Sequence, residues 1–304
     1  RRLLGNSFAP RGFFPPELCY SQDIVAPIQQ TGHQWIILSG VACPVAWPIS
    51  TIYEIEFQGK RLAVLFRDDI VSNKISFRSM TGAEFLDHLR LEYLLGLAGQ
   101  RDTYIITAMD GETFGHHIKN WEREFLAKVY QELEPGKQPG IKMVTLSELV
   151  DIFPRGQTIQ PKLSSWSTSK EDIEAGNSYP LWRDPNNQIH QLQWKYLGVC
   201  LEVTKQALIW ADNTTSKDHA AIAREFMDRA LHSDQFWWAN SKPRWDINLV
   251  HKGLLFGDEA ILNAYHAITT SSINQEEKRE YYYRLAAARE LKQRIIDQLL
   301  GIFN

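Results

Sequence analysis

No stretch of this sequence approaches the roughly eighteen consecutive apolar residues that a membrane-crossing helix needs, and the opening Arg1-Arg-Leu-Leu lacks the apolar core of a secretory leader. Neither charge sign dominates. With 33 basic against 36 acidic side chains the formal net charge is −3, so no electrostatic footprint for nucleic acid or an anionic membrane stands out. Cysteine is sparse: Cys19, Cys43 and Cys200 are odd in number and far apart, which argues against a disulfide framework and excludes a Cys-x-x-Cys metal pattern. A reducing, cytoplasmic setting is the expectation. Internal repeats and low-complexity tracts are absent too. The expected partners are neutral small molecules or polymers, with no nucleic acid, membrane or cofactor.

What is present is enough apolar matter for a large core, 44% of 304 residues, and length for a barrel-sized domain or two smaller ones. The aromatic load is high, with 10 Trp, 11 Tyr and 14 Phe. Most such rings pack in cores, but an indole at the surface offers a flat face on which a sugar ring can stack. The chain opens without Met and reads as a segment of something longer.

Between Phe13 and Leu146 short β-rich runs alternate with helical ones, the mark of βα units around a parallel sheet or barrel. Strands are expected at 33–38, 62–66, 104–108 and 142–145, with 53–57 forming a hairpin to 61–66 through Gln58-Gly59-Lys60. Helices are expected at 21–30, 82–96 and 120–133. From 153 to 187 the composition shifts to Pro, Gly, Ser, Asn and Trp, an ordered functional loop by its length and Trp content. After His190 the pattern is helical, broken at 233–246 and closing with a helix over 275–300, for which a helical bundle is the simplest account.

Two carboxyl-bearing stretches draw attention. Asp110-Gly-Glu112 follows an apolar run and precedes Gly115-His116-His117, so a strand-end acid is backed by a second acid and two imidazoles. That suits general acid–base catalysis, and equally an ordinary Asp-Gly turn. A metal site built on Asp110, His116 and His117 is weaker, because adjacent histidines rarely face one ion. Gly12-Phe-Phe14-Pro-Pro-Glu17-Leu-Cys-Tyr20 places another carboxyl in an apolar, proline-stiffened turn, where burial demands polar partners; the plainer alternative is a helix-start Glu. Glycosidases need two such carboxyls flanking one bond, about 5 to 5.5 Å apart for retention.

At this point the motifs resemble a known family. Ala108-Met-Asp110-Gly-Glu112-Thr-Phe114-Gly115-His116 looks like the acid/base motif of glycoside hydrolase family 57, and Phe13-Phe14-Pro-Pro16-Glu17-Leu-Cys-Tyr20 is similar to its nucleophile motif, with Phe14 where Trp is usual. His232-Ser-Asp234-Gln-Phe-Trp237 resembles the last motif, whose Asp and Trp reach bound sugar. The resemblance runs from Gly12 to about residue 245. It implies Glu17 as nucleophile and Asp110 as general acid/base of a retaining enzyme acting on α-glucans or maltooligosaccharides. Phe14, Glu112, His116, Asp234 and Trp237 then line the substrate.

The family's opening His-Gln-Pro motif and Gly-x-x-Glu segment do not precede Phe13. The fold class expected is therefore α/β: an incomplete (β/α)7 TIM-like barrel, its first strands absent, followed by a C-terminal helical bundle. The organisation expected is a partial barrel over 1–150 carrying both carboxylates, a connecting segment over 151–190, and a bundle over 191–304 closing the cleft. Two rivals remain, a metal-dependent polysaccharide deacetylase-like hydrolase and a non-catalytic glucan binder.

Overall fold

The run 62–66, Leu-Ala-Val-Leu-Phe, is buried at every position, as a strand covered on both faces must be. In the computed structural model, which describes residues 9–95, 101–240 and 246–301, it forms the centre of a five-stranded sheet. The strands are β1 (Gly12–Phe13), β2 (Trp35–Leu38), β3 (Ile52–Phe57), β4 (Lys60–Phe66) and β5 (Arg155–Thr158), in the order β1-β2-β4-β3-β5. β1, β2 and β4 run parallel, so Phe13, Leu38 and Phe66 all end at one edge of the sheet. β3 pairs antiparallel with β4 and parallel with β5.

The expected hairpin is present. Gln58 (φ 51°) and Gly59 (φ 73°) are both left-handed and Phe57 pairs with Lys60, the two-residue turn whose twist suits flanking strands. Two expected strands are not strands. In 104–108, Tyr104 and Ile106 are buried, yet the backbone bonds go singly to a loop and to the start of a helix: Tyr104 N to Ile49 O, Asp68 N to Ile106 O, Ala108 N to Ser72 Oγ. The stretch 142–145 is the approach to a helix, whose capping box closes between Thr145 and Glu148. β5 was not anticipated because Arg-Gly-Gln-Thr is polar. Its Gly156 allows close approach, since a Cβ there would lie 2.4 Å from Thr51 Cγ2.

The helices of this part are α1 (Val25–Gln30), α2 (Asp69–Ser76), α3 (Gly82–His88), α4 (Lys128–Glu132), α5 (Leu146–Ile152) and α6 (Lys170–Glu174). π-helical turns at Leu89–Leu95 and Glu122–Ala127 continue α3 and lead into α4, so the expected helices at 82–96 and 120–133 are present but not uniformly α. Residue 96 and the inner part of the expected break, 241–245, lie outside the described residues. Sheet and helices keep separate cores: Ile36, Leu65 and Ile106 belong to one, Ile75, Phe85, Trp121 and Phe125 to the other.

By contacts the chain divides into two units, one up to Ser178 and one from Tyr179. The second is helical: α7 (Gln188–Trp210), α8 (Thr214–Ala230), α9 (Asp234–Trp237), α10 (Ile247–Thr270) and α11 (Gln275–Gly301). α10 packs most extensively on α8, and small residues are buried on both helices, Ala260, Ala264 and Ala267 on α10 and Ala220 and Ala223 on α8. A Cβ on Gly257 would lie 2.6 Å from the Tyr196 ring, so α10 and α7 approach closely there. No described helix is long and apolar enough to cross a membrane.

Candidate active site

Just past β1, Pro15 and Pro16 lead into a single 3-10 turn, Pro16–Leu18. Glu17 (φ 59°, ψ 18°) and Leu18 (φ 48°) are both left-handed, a conformation that costs side-chain-bearing residues on the order of 1–2 kcal/mol each. Strain of this kind persists only where surroundings over-determine it. Here Leu18 and Tyr20 are buried in the sheet core, and a loop from far along the chain clamps the turn. Tyr20 N donates to Ser164 O at 2.8 Å and Trp166 N donates to Glu17 O at 3.0 Å. The Trp166 indole Nε1 donates to Glu17 Oε2 at 2.9 Å.

The half-buried carboxylate thus has the polar partner that its apolar setting demands. Phe14, 47% exposed, meets the Trp166 ring edge-on at 6.3 Å. Burial, with Glu17's charge adding to it, pushes the neighbouring Cys19 thiol up to about 12, so it stays protonated at neutral pH.

At the end of β4, Arg67 is only 3% exposed, and each of its three side-chain nitrogens donates a hydrogen bond. Nε donates to Ala108 O at 2.6 Å, Nη1 to Asp69 Oδ1 at 2.7 Å and Nη2 to Asn73 Oδ1 at 2.8 Å. Asp69 in turn accepts from Ser39 Oγ and Val41 N, both at 2.8 Å, drawing in the turn beyond β2. Gly40 is required at that turn because a Cβ would fall 2.6 Å from Arg67 O. The guanidinium lies 5.9 Å from the Trp166 ring centroid.

Asp110 opens a 3-10 turn, Gly111–Thr113, two residues beyond the carbonyl that Arg67 holds. The turn is tied through backbone: Thr113 N to Asp110 O, then His116 N and His117 N to Glu112 O. Gly115 (φ 101°) reverses the chain before the histidines. Asp110, Glu112, His116 and His117 are all exposed, and the two imidazoles lie 5.1 Å apart. Among the described residues no group of three or more His, Cys, Asp or Glu is placed to hold a metal ion.

Glu17, just past β1, and Asp110, past the irregular run 104–108, therefore both belong to the first unit; the indole that holds the Glu17 carboxylate lies by Arg67, which holds the carbonyl two residues before Asp110. Asp234 and Trp237 belong to the second unit, on the short helix α9. Asp234 is exposed, and Trp237 packs edge-to-face on Trp238 at 4.4 Å. α9 is positioned by buried polar groups from the start of α7. His190 Nδ1 accepts from Asp184 N at 3.1 Å, which leaves Nε2–H to donate to Phe236 O at 2.8 Å. Gln193 Nε2 donates to Gln235 O and Asn187 Nδ2 to Ala239 O. Burial holds His190 below its ordinary pKa.

Sequence reasoning gave no role to Arg67 or Trp166. The available signals were an Arg directly following a buried strand and an indole inside a Ser-rich loop.

The model of glycosyl hydrolase family 57 matches residues 1–162, and the chain belongs to that family. A "Putative alpha-amylase" of Methanocaldococcus jannaschii is 28% identical over 178 residues, 55% of this chain and 36% of that protein. Among solved structures, the alpha-amylase AmyC of Thermotoga maritima superposes with a TM-score of 0.62 at 15% identity, covering 92% of this chain and 64% of that one. The GH57-type branching enzyme of Pyrococcus horikoshii does so with 0.58 at 14%, covering 94% and 62%. These likenesses show a shared fold, and the chain spans about a third to two thirds of the length of the proteins it matches.

Proposed function

We propose that this chain carries the catalytic carboxylates of a retaining hydrolase or transglycosylase acting on α-glucosidic bonds, with Glu17 as nucleophile and Asp110 as general acid/base. The observation that carries the reading is Glu17 itself: a carboxylate in a strained turn past a parallel strand, fixed by the Trp166 indole. In the first displacement Glu17 attacks the anomeric carbon, the glycosidic C–O bond breaks, and Asp110 gives its proton to the leaving oxygen. In the second, water or a sugar hydroxyl attacks that carbon, Asp110 takes its proton, and the glycosyl–Glu17 ester bond breaks. Water yields hydrolysis and a sugar hydroxyl yields transfer, the activities named for amylase and branching-enzyme neighbours respectively.

Beside this pair, Glu112 and His116 are assigned to holding Asp110 and Phe14 to offering an exposed face to a sugar ring; Asp234 and Trp237 of the helical unit are assigned to substrate contact on the family resemblance of their motif alone. The fold of the relatives supports the first unit as part of an incomplete TIM-like barrel.

In the intact protein, Glu17→Ala is expected to abolish maltooligosaccharide turnover, and Asp110→Ala to lower it about 100- to 10,000-fold. Azide added to the Glu17→Ala variant should restore bond cleavage and give a glycosyl azide of inverted configuration. Near-normal turnover in either variant would overturn the assignment, as would products of inverted configuration from the unmodified enzyme.

A further inference from the structure

Arg67 is a charge buried at the edge of the sheet, and burying a charge costs several kcal/mol unless it is paired and fully bonded. Its pairing with Asp69 meets that requirement, and Asn73 takes a further donor. Neither bond explains the remaining two contacts. Nε holds the carbonyl of Ala108, two residues before Asp110, and the cation lies over the ring whose N–H holds Glu17.

On the reading of Glu17 and Asp110 as the reacting carboxylates, we propose that Arg67 and Trp166 are positioning residues forming one relay that sets both. Arg67 pins the peptide leading to Asp110 and fixes the plane of the Trp166 indole, and the indole N–H fixes the Glu17 carboxylate. The chemistry demands such a device because the two carboxyls must stay in register with one glycosidic bond, and small displacements forfeit rate. It also demands arginine. The guanidinium directs hydrogen bonds to Ala108, Asp69 and Asn73 in three fixed directions while its cation sits over the indole ring, 5.9 Å from the centroid. A lysine ammonium at the end of a flexible stem would keep the charge without that geometry.

The first arm of the test is Trp166→Phe, which keeps a six-membered ring near Arg67 and removes the donor to Glu17 together with the five-membered ring that carries it. Loss of one hydrogen bond to a charged group predicts a fall in kcat of about 10- to 100-fold, with KM for a maltooligosaccharide little changed. Because the indole N–H favours ionised Glu17, the acidic limb of the kcat/KM profile moves to higher pH in this variant. A loss of packing alone admits water to the carboxylate and would move that limb to lower pH, the opposite direction. The second arm is Arg67→Lys, expected to lower kcat comparably while Asp69 keeps a charged partner.

In the double variant the loss should be smaller than the product of the single losses, since both act partly through the same indole. Wild-type kcat with an unmoved acidic limb in Trp166→Phe, or strictly multiplicative losses, would overturn the relay. Should Arg67→Lys fail to fold, Trp166→Phe decides alone. Turnover retained by Glu17→Ala defeats the catalytic reading; an inactive, azide-rescued Glu17→Ala beside a normal Trp166→Phe defeats only the relay.

Discussion

Glu17 bears a side chain where backbone geometry would prefer none. At φ 59° its Cβ crowds the following carbonyl, and the next residue, Leu18, repeats the conformation. Glu17→Ala and Glu17→Gly both delete the carboxylate but differ in that Cβ. The Gly variant is expected to be the more stable by about 1 kcal/mol, read as the difference in unfolding free energy between two equally inactive proteins. Equal stabilities, or a more stable Ala variant, would show that the turn carries no such strain. The two acids were visible in the sequence because each sits in a contiguous motif. Their supports were not: Trp166 is 149 positions from Glu17, and Arg67 is 41 from Ala108. Local pattern carries no information about which distant donor will find a carboxylate.

At the scale of elements, burial was easier to anticipate than pairing. The apolar run Tyr104-Ile-Ile106 suits burial, and Tyr104 and Ile106 are buried, but a ladder also needs a neighbouring strand in register, and here the neighbours are the Ile49 loop and the start of α2. The β3–β4 hairpin was legible because its determinant is local. Gly59 supplies a φ of 73° without cost, so Gly59→Ala is expected to destabilise the protein by about 1 kcal/mol, measured by chemical denaturation. An unchanged denaturation midpoint would mean that the turn relaxes to another type. β5 escaped notice because its four residues are polar and its place in the sheet depends on Gly156 tolerating Thr51 at close range.

The molecule as a whole comprises two units, and the helical one carries two histidines that burial keeps from protonating. In the helical unit, His190 accepts a backbone N–H and is buried, so protonation is opposed in the folded state and its pKa lies below the ordinary 6.5. His232 shifts the same way, again chiefly by burial. The unfolded chain therefore binds protons that the folded chain refuses. Stability is fully present above pH of about 6.5 and declines as pH falls below it. Thermal melts between pH 7.5 and about 5 should show this decline, and His190→Gln, though less stable at pH 7.5, should show a shallower slope. A slope identical to wild type would remove His190 from the account. The paired carboxylates Asp151 and Asp212 are held below the usual carboxylate range and titrate at lower pH, outside this window.

The clamp on the Glu17 turn also has a consequence for the order of assembly. Two backbone hydrogen bonds and one side-chain bond to that turn come from residues 164 and 166, beyond every strand of the sheet in sequence. During synthesis, β1 through β5 emerge before Trp166 does, so a nascent chain can complete the sheet while the Glu17 turn is still unbraced. The brace on that carboxylate therefore forms only after the sheet has every strand, and it arrives with a single indole.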